Sequence, residues 1–403
     1  MIALAVLIVA SPLVVGFYAY VIYPAVLWII TRFRNTVRHS NPTWNWPSVT
    51  VTVPVYNAAS TIRRTLEQIL ALDYPLDRLQ ILVLSDASTD GTDDIAGEMS
   101  GRGVEVLRAP ERRGKTAAEN AAVSVARGEI IVNVDATVRV PPPSLKRLVA
   151  AFIDPTVGVA SGRDISVDAS ALEHGPTGDA SSLVATRAEA GYVGYEMWVR
   201  DLETRAGSIV GASGCFFAIR REIHKDPLPP ELSWDFASAL VARKLGYRAV
   251  SVPDAVCVVP RTAQLRTEVT RKSRTMARGL STLFHFRELM NPLSYGGFAL
   301  MLISHKLLRW LPYLLAPFAL IALGFVAIQS RGAALGLLVV VIAASVCSFW
   351  TLADRRANAW RPVALAGFVV AACAAGSLAW YAALRGTRMV IWNPTPRANA
   401  STA

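Results

Sequence analysis

Apolar and polar positions divide the 403-residue chain into three parts. Residues 2–31 carry no charged side chain, and an apolar run of this length can span about 30 Å of hydrocarbon with some tilt. Three further apolar runs, at 310–329, 333–353 and 362–384, predict transmembrane helices near the other end. The part between them alternates short apolar runs with polar segments, which predicts a folded domain between membrane anchors.

The first apolar run predicts a retained anchor, because it lacks the basic start and the short apolar core of a cleaved signal peptide. Arg32, Arg34 and Arg38 follow it and place that end in the cytoplasm by the positive-inside rule. Three later crossings would put the tail from Arg385 onward outside, whereas the arginines of that tail favour the inside. A re-entrant or additional short crossing within 292–312 would reconcile the two, and the sequence leaves this open.

Basic and apolar side chains alternate in residues 264–290, which suits a helix that lies at the membrane interface. A solvated helix face that covers the domain is the alternative, but a spanning segment follows soon after. We therefore expect five regions along the chain. They are an anchor at 1–31, an α/β domain at 45–263, amphipathic interfacial helices at 264–309, about three transmembrane helices at 310–385 and a tail at 386–403.

Strands and helices are predicted to alternate between residues 48 and 139. The predicted strands are Val49–Val53, Leu79–Ser85, Val104–Leu107 and Ile130–Val134, and the predicted helices are Ser60–Ala71, with Ser60 as its N-cap, and Thr116–Ala126. This alternation is typical of a doubly wound, mostly parallel sheet, which binds ligands beyond the carboxyl ends of its strands. Polar residues lie at three of those ends, in Pro54–Asn57, at Asp86 and at Asp135. Together they predict a nucleotide pocket. Taken singly, each would more simply cap a turn or end a strand.

The formal net charge of +11 suits either nucleic acid or an anionic membrane surface, and its distribution separates the two. The stretch from Glu67 to Glu288 carries 29 acidic and 27 basic side chains, a net of −2, so a net of +13 lies in the two apolar ends. A domain that binds nucleic acid would carry the basic excess itself. We therefore expect a membrane protein and no nucleic-acid partner. The four cysteines and five histidines form no spaced disulfide or metal pattern.

A series of short segments matches a known family in order and spacing. The segments are PVYN (Pro54–Asn57), SDASTDGT (Ser85–Thr92), RRGKTAAEN (Arg112–Asn120), VDAT (Val134–Thr137), DPTVG (Asp154–Gly158), GASGCFFAIRR (Gly211–Arg221), WDF (Trp234–Phe236) with GYRAVSVPDA (Gly246–Ala255), RKSRTMARG (Arg271–Gly279) and SHKLLRW (Ser304–Trp310). Across about residues 45–310 the chain resembles the membrane-embedded glycosyltransferases of family 2, which include hyaluronan, cellulose and poly-N-acetylglucosamine synthases. The resemblance implies a cytoplasmic GT-A domain, Rossmann-like with a mostly parallel sheet, in a multi-pass protein of the inner (plasma) membrane.

The resemblance also implies which residues hold the nucleotide-sugar. Pro54, Tyr56 and Asp86 would hold the nucleobase and ribose, and Lys115 would approach the base or the diphosphate. Asp135 is the first position of the DxD motif of the family. It would help to hold a divalent cation, Mg²⁺ or Mn²⁺, that bridges the diphosphate.

Other matches concern the reaction and the acceptor. Asp235 matches the general base of the family, and Gly214 and Cys215 lie in the segment that shapes the acceptor pocket. Arg271 and Arg274 match the basic positions of the QxxRW helix beside the diphosphate. A single base with direct displacement implies inversion at the anomeric carbon, with one carboxylate taking the proton of the acceptor hydroxyl.

The chain departs from the family pattern at three positions. Thr137 replaces the second carboxylate of DxD, Trp234 replaces the acid before the base, and Thr275 stands where the tryptophan of QxxRW is expected. We expect an inverting transferase that extends a polysaccharide from a UDP-linked sugar at the cytoplasmic membrane face. The alternatives are transfer of a single sugar to a polyisoprenyl phosphate or membrane lipid, and a non-catalytic assembly subunit with a degenerate site.

Overall fold

The computed structural model describes residues 1–33, 44–168, 180–261, 265–329, 332–353 and 361–391. The strands are β1 (Val49–Val55), β2 (Leu79–Ser85), β3 (Val104–Arg108), β4 (Ile130–Val134), β5 (Val157–Asp168), β6 (Phe216–Arg220) and β7 (Arg248–Arg261). The helices are α1 (Ile2–Phe17), α2 (Tyr23–Thr31), α3 (Ala59–Leu70), α4 (Thr92–Gly97), α5 (Lys115–Val125), α6 (Ser144–Val149), α7 (Ala180–Ala206), α8 (Trp234–Lys244), α9 (Leu265–His285), α10 (Pro292–Tyr295), α11 (Gly297–Leu302), α12 (Leu308–Gln329), α13 (Ala333–Ala353) and α14 (Arg361–Leu384).

The chain divides into two compact units. The sheet unit comprises Ile30–Val167, Tyr192–Pro260 and Met389–Ala403, and the helical unit comprises Met1–Ile29, Asp168–Gly191 and Arg261–Arg388. The strands of the sheet unit form one mixed sheet in the order β3-β2-β1-β4-β6-β5-β7. β1 runs parallel to β2 and β4, and β2 runs parallel to β3, whereas β6 is antiparallel to β4 and β5. The predicted mostly parallel α/β sheet is thereby confirmed.

The central strands are apolar throughout because both of their faces are covered. Every residue of β1 and of β4 is buried. Val51 and Val53 share one core with Ile62 and Leu66 of α3. Strands buried on both faces appear in sequence as continuous apolar runs, which explains why β1, β2 and β4 were predicted to within two residues.

The predicted N-cap of α3 is wrong. The helix begins at Ala59, and its cap residue Ala58 makes no side-chain cap hydrogen bond. Its first amides are satisfied by a distant segment instead: Ala58 N–H donates to Thr92 Oγ1 at 2.8 Å, and Ala59 N–H donates to Asp90 Oδ2 at 3.0 Å. The SDASTDGT segment therefore caps α3, and Ser60 lies within the first turn.

Two helices of the chain are long and apolar enough to cross a membrane, judged by length and composition within the described residues. The first joins α1 and α2 through a π-helical turn at Tyr18–Ile22, and the second joins α11 and α12 through a π-helical turn at Ile303–Leu307. α13 and α14 contain shorter apolar stretches, Ala334–Val346 and Val369–Leu384. Each predicted apolar run near the C-terminal end therefore contains a helix. Among the described residues of these three helices, only the one within Gly297–Gln329 passes this test.

The two π-helical turns meet inside the helical unit. Tyr18 Oη lies 3.1 Å from Ser304 Oγ, and the His305 ring lies 6.4 Å from the Tyr23 ring. The buried Arg309 guanidinium lies 5.1 Å from the centroid of the Tyr20 ring, within cation–π range. The SHKLLRW segment thus packs its polar side chains onto tyrosines of the first long helix.

Candidate active site

Polar side chains gather at one edge of the sheet unit. β1, β2 and β4 are parallel, so Tyr56, Asp86 and Asp135, which follow them, lie at the carboxyl edge of the sheet. Pro54 is buried within β1 itself. β4 pairs only with residues 49–52, so the missing amide of Pro54 leaves no gap in that ladder. The contact of Pro54 with a nucleobase stays a prediction.

Asp86 connects the end of β2 to the turn that precedes α5. Its side chain is buried, and its carboxylate accepts hydrogen bonds from Arg113 N–H at 2.7 Å and from Gly114 N–H at 2.9 Å. The Asp86 backbone N–H donates to Val55 O at 2.9 Å. Asp86 therefore fixes the turn that carries Lys115, in addition to any contact with a nucleotide.

Tyr56 and Arg112 form a stacked pair beside this turn. The Arg112 Cζ atom lies 3.6 Å from the centroid of the Tyr56 ring, a close cation–π contact. Both side chains are half-buried. Sequence reasoning assigned Tyr56 but not Arg112, and its position in the RRGKTAAEN segment was the available signal.

Lys115 and Asp135 form an ion pair at the centre of the site. Lys115 Nζ lies 2.6 Å from Asp135 Oδ1, and the two side chains are 19% and 30% exposed. The ammonium also donates to Gly214 O at 3.3 Å and lies 3.6 Å from Glu119 Oε1. Burial alone would lower the pKa of the Lys115 ammonium, but Asp135 and Glu119 outweigh burial and hold that pKa above its ordinary value. Lys115 is therefore a fixed positive charge.

Asp235 is the second residue of α8, and its carboxylate has one oriented oxygen. Ser233 Oγ donates to Asp235 Oδ1 at 2.7 Å. A Cβ atom built on Gly214 would lie 3.0 Å from Asp235 Oδ2, so only a glycine leaves this carboxylate its position. Lys115 thus contacts Asp135 and Gly214, and Asp235 lies beside Gly214 and interacts electrostatically with Lys115 and Asp135.

The segment around Cys215 also touches this group. Asp135 N–H donates to Cys215 O at 3.1 Å, which ties the end of β4 to the start of β6. The Cys215 side chain is half-buried. Its predicted role at an acceptor stays a prediction.

Asp164 is a carboxylate that sequence reasoning missed. It lies in β5, where it accepts hydrogen bonds from Ser213 Oγ at 2.5 Å and from Cys257 Sγ at 3.2 Å. Asp164 and Asp235 both interact electrostatically with Asp135. Asp164 lies in none of the segments that match the family, and β5 carries several other polar side chains, so no local signal singled this position out.

The site offers oxygen ligands to a divalent cation, but the described side chains do not supply a complete coordination shell. Within the described ranges, no three His, Cys, Asp or Glu side chains form a group that could hold a metal ion. Asp135 offers a half-exposed carboxylate, and Thr137 of the same motif is exposed. Mg²⁺ commonly binds one or two carboxylates together with substrate phosphates and water. The residues therefore fit a cation that is bound jointly with a diphosphate, with Asp135 as the carboxylate ligand.

Arg271 and Arg274 belong to the helical unit, on α9. With Arg278 they follow a spacing of three and four residues, so the three side chains share one face of the helix. Burial, and the positive charges of Arg278 and Arg271, lower the pKa of the Arg274 guanidinium. This face concentrates positive charge, and its predicted position beside a diphosphate stays a prediction.

Comparison with known proteins identifies the class of this domain. Residues 50–227 match the family model described as Glycosyl transferase family 2. The resemblance that the motifs indicated is thereby confirmed for residues 50–227, which make up less than half of the chain. The match supports the predicted enzyme class, glycosyltransferase, for these residues.

Individual relatives agree with that class. The chain is 32% identical over 122 residues to a beta-monoglucosyldiacylglycerol synthase of Synechocystis, covering 29% of this chain and 26% of the relative. It is 27% identical over 237 residues to an N-acetylglucosaminyltransferase of Mesorhizobium japonicum, covering 53% of this chain and 52% of the relative. The chain spans about a quarter to a third of the length of the curated relatives that it matches above 30% identity.

One solved structure resembles nearly the whole chain. A mannosyltransferase from Pyrobaculum calidifontis, in complex with GDP-mannose and Mn²⁺, has a TM-score of 0.73 and 24% identity. The likeness covers 96% of this chain and 99% of that one. At this identity the likeness establishes the fold.

Proposed function

We propose that this chain is an inverting glycosyltransferase that transfers a sugar from a nucleotide-sugar to a growing polysaccharide at the cytoplasmic face of the inner membrane. One observation carries the proposal: Lys115 contacts Asp135 and Gly214 at the carboxyl edge of the sheet, and Asp235 lies beside Gly214. That group combines a cation for a leaving diphosphate with a carboxylate for an incoming hydroxyl. A UDP-sugar is the expected donor.

Asp235 is proposed as the general base. The acceptor hydroxyl oxygen attacks the anomeric carbon, its proton passes to Asp235 Oδ2, and the bond from the anomeric carbon to the diphosphate breaks. The leaving nucleoside diphosphate takes the electron pair of that bond. Ser233 holds Oδ1 and so orients the carboxylate, and a single displacement inverts the anomeric configuration.

Lys115 and Asp135 are proposed to hold the diphosphate end of the donor. The Lys115 ammonium stabilises the negative charge that develops as the bond breaks. Asp135 is the residue that would hold Mg²⁺ or Mn²⁺. When bound, such a cation neutralises charge on the leaving diphosphate. Tyr56 and Asp86 are proposed for the nucleoside, with Arg112 supporting the Tyr56 ring.

Membrane attachment is proposed through the two long apolar helices, with Arg32 marking the cytoplasmic end of the first. Arg271 and Arg274 are proposed as further contacts of the diphosphate. Gly214 and Cys215 are proposed to border the acceptor.

A lipid acceptor is the second candidate, supported by the similarity to a beta-monoglucosyldiacylglycerol synthase. In that case a single sugar would pass to a membrane lipid or a polyisoprenyl phosphate. The size of the product separates the two candidates: a ladder supports a polysaccharide, and one discrete adduct supports a lipid.

The test is donor turnover by the full chain in detergent. The protein is incubated with a panel of UDP- and GDP-sugars, and release of the nucleoside diphosphate is measured with and without Mn²⁺. We expect one donor to give release that depends on the cation and on Asp235. Absence of release and of nucleotide binding with every donor would instead support the non-catalytic subunit that Thr137, Trp234 and Thr275 suggest.

A further inference from the structure

The chain returns to the sheet unit after its last helix. Residues 389–391, here called the strap segment, follow the helical unit and belong to the sheet unit. A Cβ atom built on Gly114 would lie 2.3 Å from Val390 O, 3.1 Å from the Val390 carbonyl carbon and 3.5 Å from Val390 Cγ1. Met389 and Val390 are half-buried. The strap segment therefore lies directly against Gly114.

Gly114 occupies a critical place in the candidate site. Its φ of +87° favours glycine, and the side on which any other residue would carry its Cβ atom is filled by Val390. Its N–H donates to Asp86, and the next residue is Lys115, which pairs with Asp135. The strap segment thus rests on the turn that joins two of the proposed donor-binding residues.

We propose that the strap segment is part of the wall of the donor site. By resting on Gly114 it holds the turn at residues 113–115 in the geometry that Asp86 and Lys115 require, and so raises the affinity for a nucleoside diphosphate. This inference rests on the proposed function. It adds a binding element that lies more than 250 positions away in the sequence from the turn that it supports.

The strap segment also constrains the membrane topology. The chain leaves the sheet unit after Pro260 and re-enters it at Met389, so both ends of the intervening segment lie on the same side of the membrane. That segment therefore crosses the membrane an even number of times. The tail then lies with the glycosyltransferase domain in the cytoplasm, as the arginines Arg385 and Arg388 favour. Three crossings, as the apolar runs alone predict, do not satisfy this condition.

Two shortened chains test the strap segment. One ends at Arg388 and lacks it, and the matched control ends at Ile391 and keeps it. Binding of UDP and of GDP in the presence of Mn²⁺ is measured by titration calorimetry on the purified proteins in detergent. We expect the control to bind within about twofold of the full chain, and the chain ending at Arg388 to bind about tenfold more weakly, equivalent to about 1.4 kcal/mol.

The outcomes separate this inference from the proposed function. Failure of the full chain to bind either nucleotide would contradict the proposed function. Binding by the full chain that is unchanged in both shortened chains, or weakened equally in both, would overturn the strap inference alone. Elution volume and thermal unfolding identify a shortened chain that fails to fold.

Gly114→Ala provides a second test that does not depend on truncation. In the full chain the added methyl group collides with Val390 O, and we expect weaker nucleotide binding. In the chain ending at Arg388 that obstacle is absent, so the same substitution should cost less affinity. Gly103→Ala is the control, because Gly103 also has a left-handed φ, +89°, with no atom within 4 Å of its Cβ position. Equal losses for Gly114→Ala in both backgrounds would overturn the inference.

Reporter fusions after Ala403 test the topology. A green fluorescent protein that folds in the cytoplasm should fluoresce, and an alkaline phosphatase that needs the outside of the cell should be inactive. Phosphatase activity from the same fusion point would place the tail outside and overturn the proposed contact.

Discussion

Asp235 combines an oriented oxygen with an oxygen that faces the site, which is the arrangement a general base needs. Asp235→Asn keeps the shape of the side chain and an acceptor for Ser233 Oγ, but it removes the ability to take a proton. We expect the transfer rate to fall by about 10²- to 10⁴-fold, the usual contribution of a general base. Release of nucleoside diphosphate in the presence of acceptor measures this. Nucleotide affinity should stay the same, and an unchanged turnover would remove Asp235 from the mechanism.

Gly214 sets the position of that carboxylate. In Gly214→Ala the new Cβ atom would lie 3.0 Å from Asp235 Oδ2, so the carboxylate must shift by a few tenths of an ångström. We expect kcat to fall by about tenfold or more, because small misplacements of a catalytic group are costly. Gly194→Ala, where no atom lies within 4 Å of the Cβ position, is the matched control. Equal kcat values for the two variants would contradict the prediction.

In the proposed site, Lys115 and a divalent cation would compete for the same carboxylate, since Lys115 Nζ lies 2.6 Å from Asp135 Oδ1. Lys115→Met frees Asp135 and removes one positive charge. We therefore expect Mn²⁺ to bind the variant more tightly than the native chain when no nucleotide is present. Free Mn²⁺ can be followed by electron paramagnetic resonance during titration. If the variant gained no affinity, or if Asp135→Asn did not cancel the gain, Asp135 would not be the ligand.

At the scale of elements, the start of α8 depends on a buried imidazole beneath it. His224 stacks on Trp234 at 4.4 Å and shares a 2.7 Å hydrogen bond with Ser238 Oγ. Burial lowers the pKa of His224 from 6.5 to about 3. Between these two pH values the unfolded chain binds a proton at this position that the folded chain does not. The contribution of His224 to the free energy of unfolding is therefore fully present above pH 6.5 and declines as the pH falls toward 3.

His224→Phe should reduce this acid sensitivity. The phenyl ring can still stack on Trp234, and Ser238 Oγ keeps its hydrogen bond to Trp234 O. We expect the pH dependence of the unfolding free energy to become shallower by up to about 1.4 kcal/mol per pH unit below pH 6.5. Thermal unfolding in detergent from pH 7 to pH 4.5 measures the effect. The exposed His285, replaced in the same way, is the control, and identical pH profiles for the two variants would contradict the prediction.

Elements that depend on local pattern were predictable, and contacts between distant elements were not. The buried strands and α5 follow from apolar runs and spacing, and Asp86, Asp135 and Asp235 follow from motifs at the ends of elements. The hydrogen bond from Lys115 to Gly214 joins residues 99 positions apart, and nothing in either segment specifies it. The capping of α3 by Asp90 was missed for the same reason: a local N-cap was expected where a distant carboxylate supplies the hydrogen bond.

At the scale of the whole molecule, the distribution of charge distinguishes insertion into the membrane from attraction to its surface. Residues before Glu67 and after Glu288 carry a net of +13, whereas the stretch between them is nearly neutral at −2. Attraction of a basic protein to anionic lipid is screened by salt, and the screening length falls to about 3 Å at 1 M. Helices that span the hydrocarbon are held by the transfer energy of their apolar side chains, which salt does not weaken.

We therefore expect washed membranes that contain the full chain to retain it in about 1 M sodium chloride, where the Debye length is only about 3 Å, and in alkaline carbonate, and to release it in detergent. The basic side chains would then act as a signal for orientation, and the two long helices would provide the attachment. Sedimentation of the membranes followed by detection of the chain in pellet and supernatant measures this. Release by salt alone would show that the basic ends bind the membrane surface, and the helices Ile2–Thr31 and Gly297–Gln329 would then have to pack within the protein.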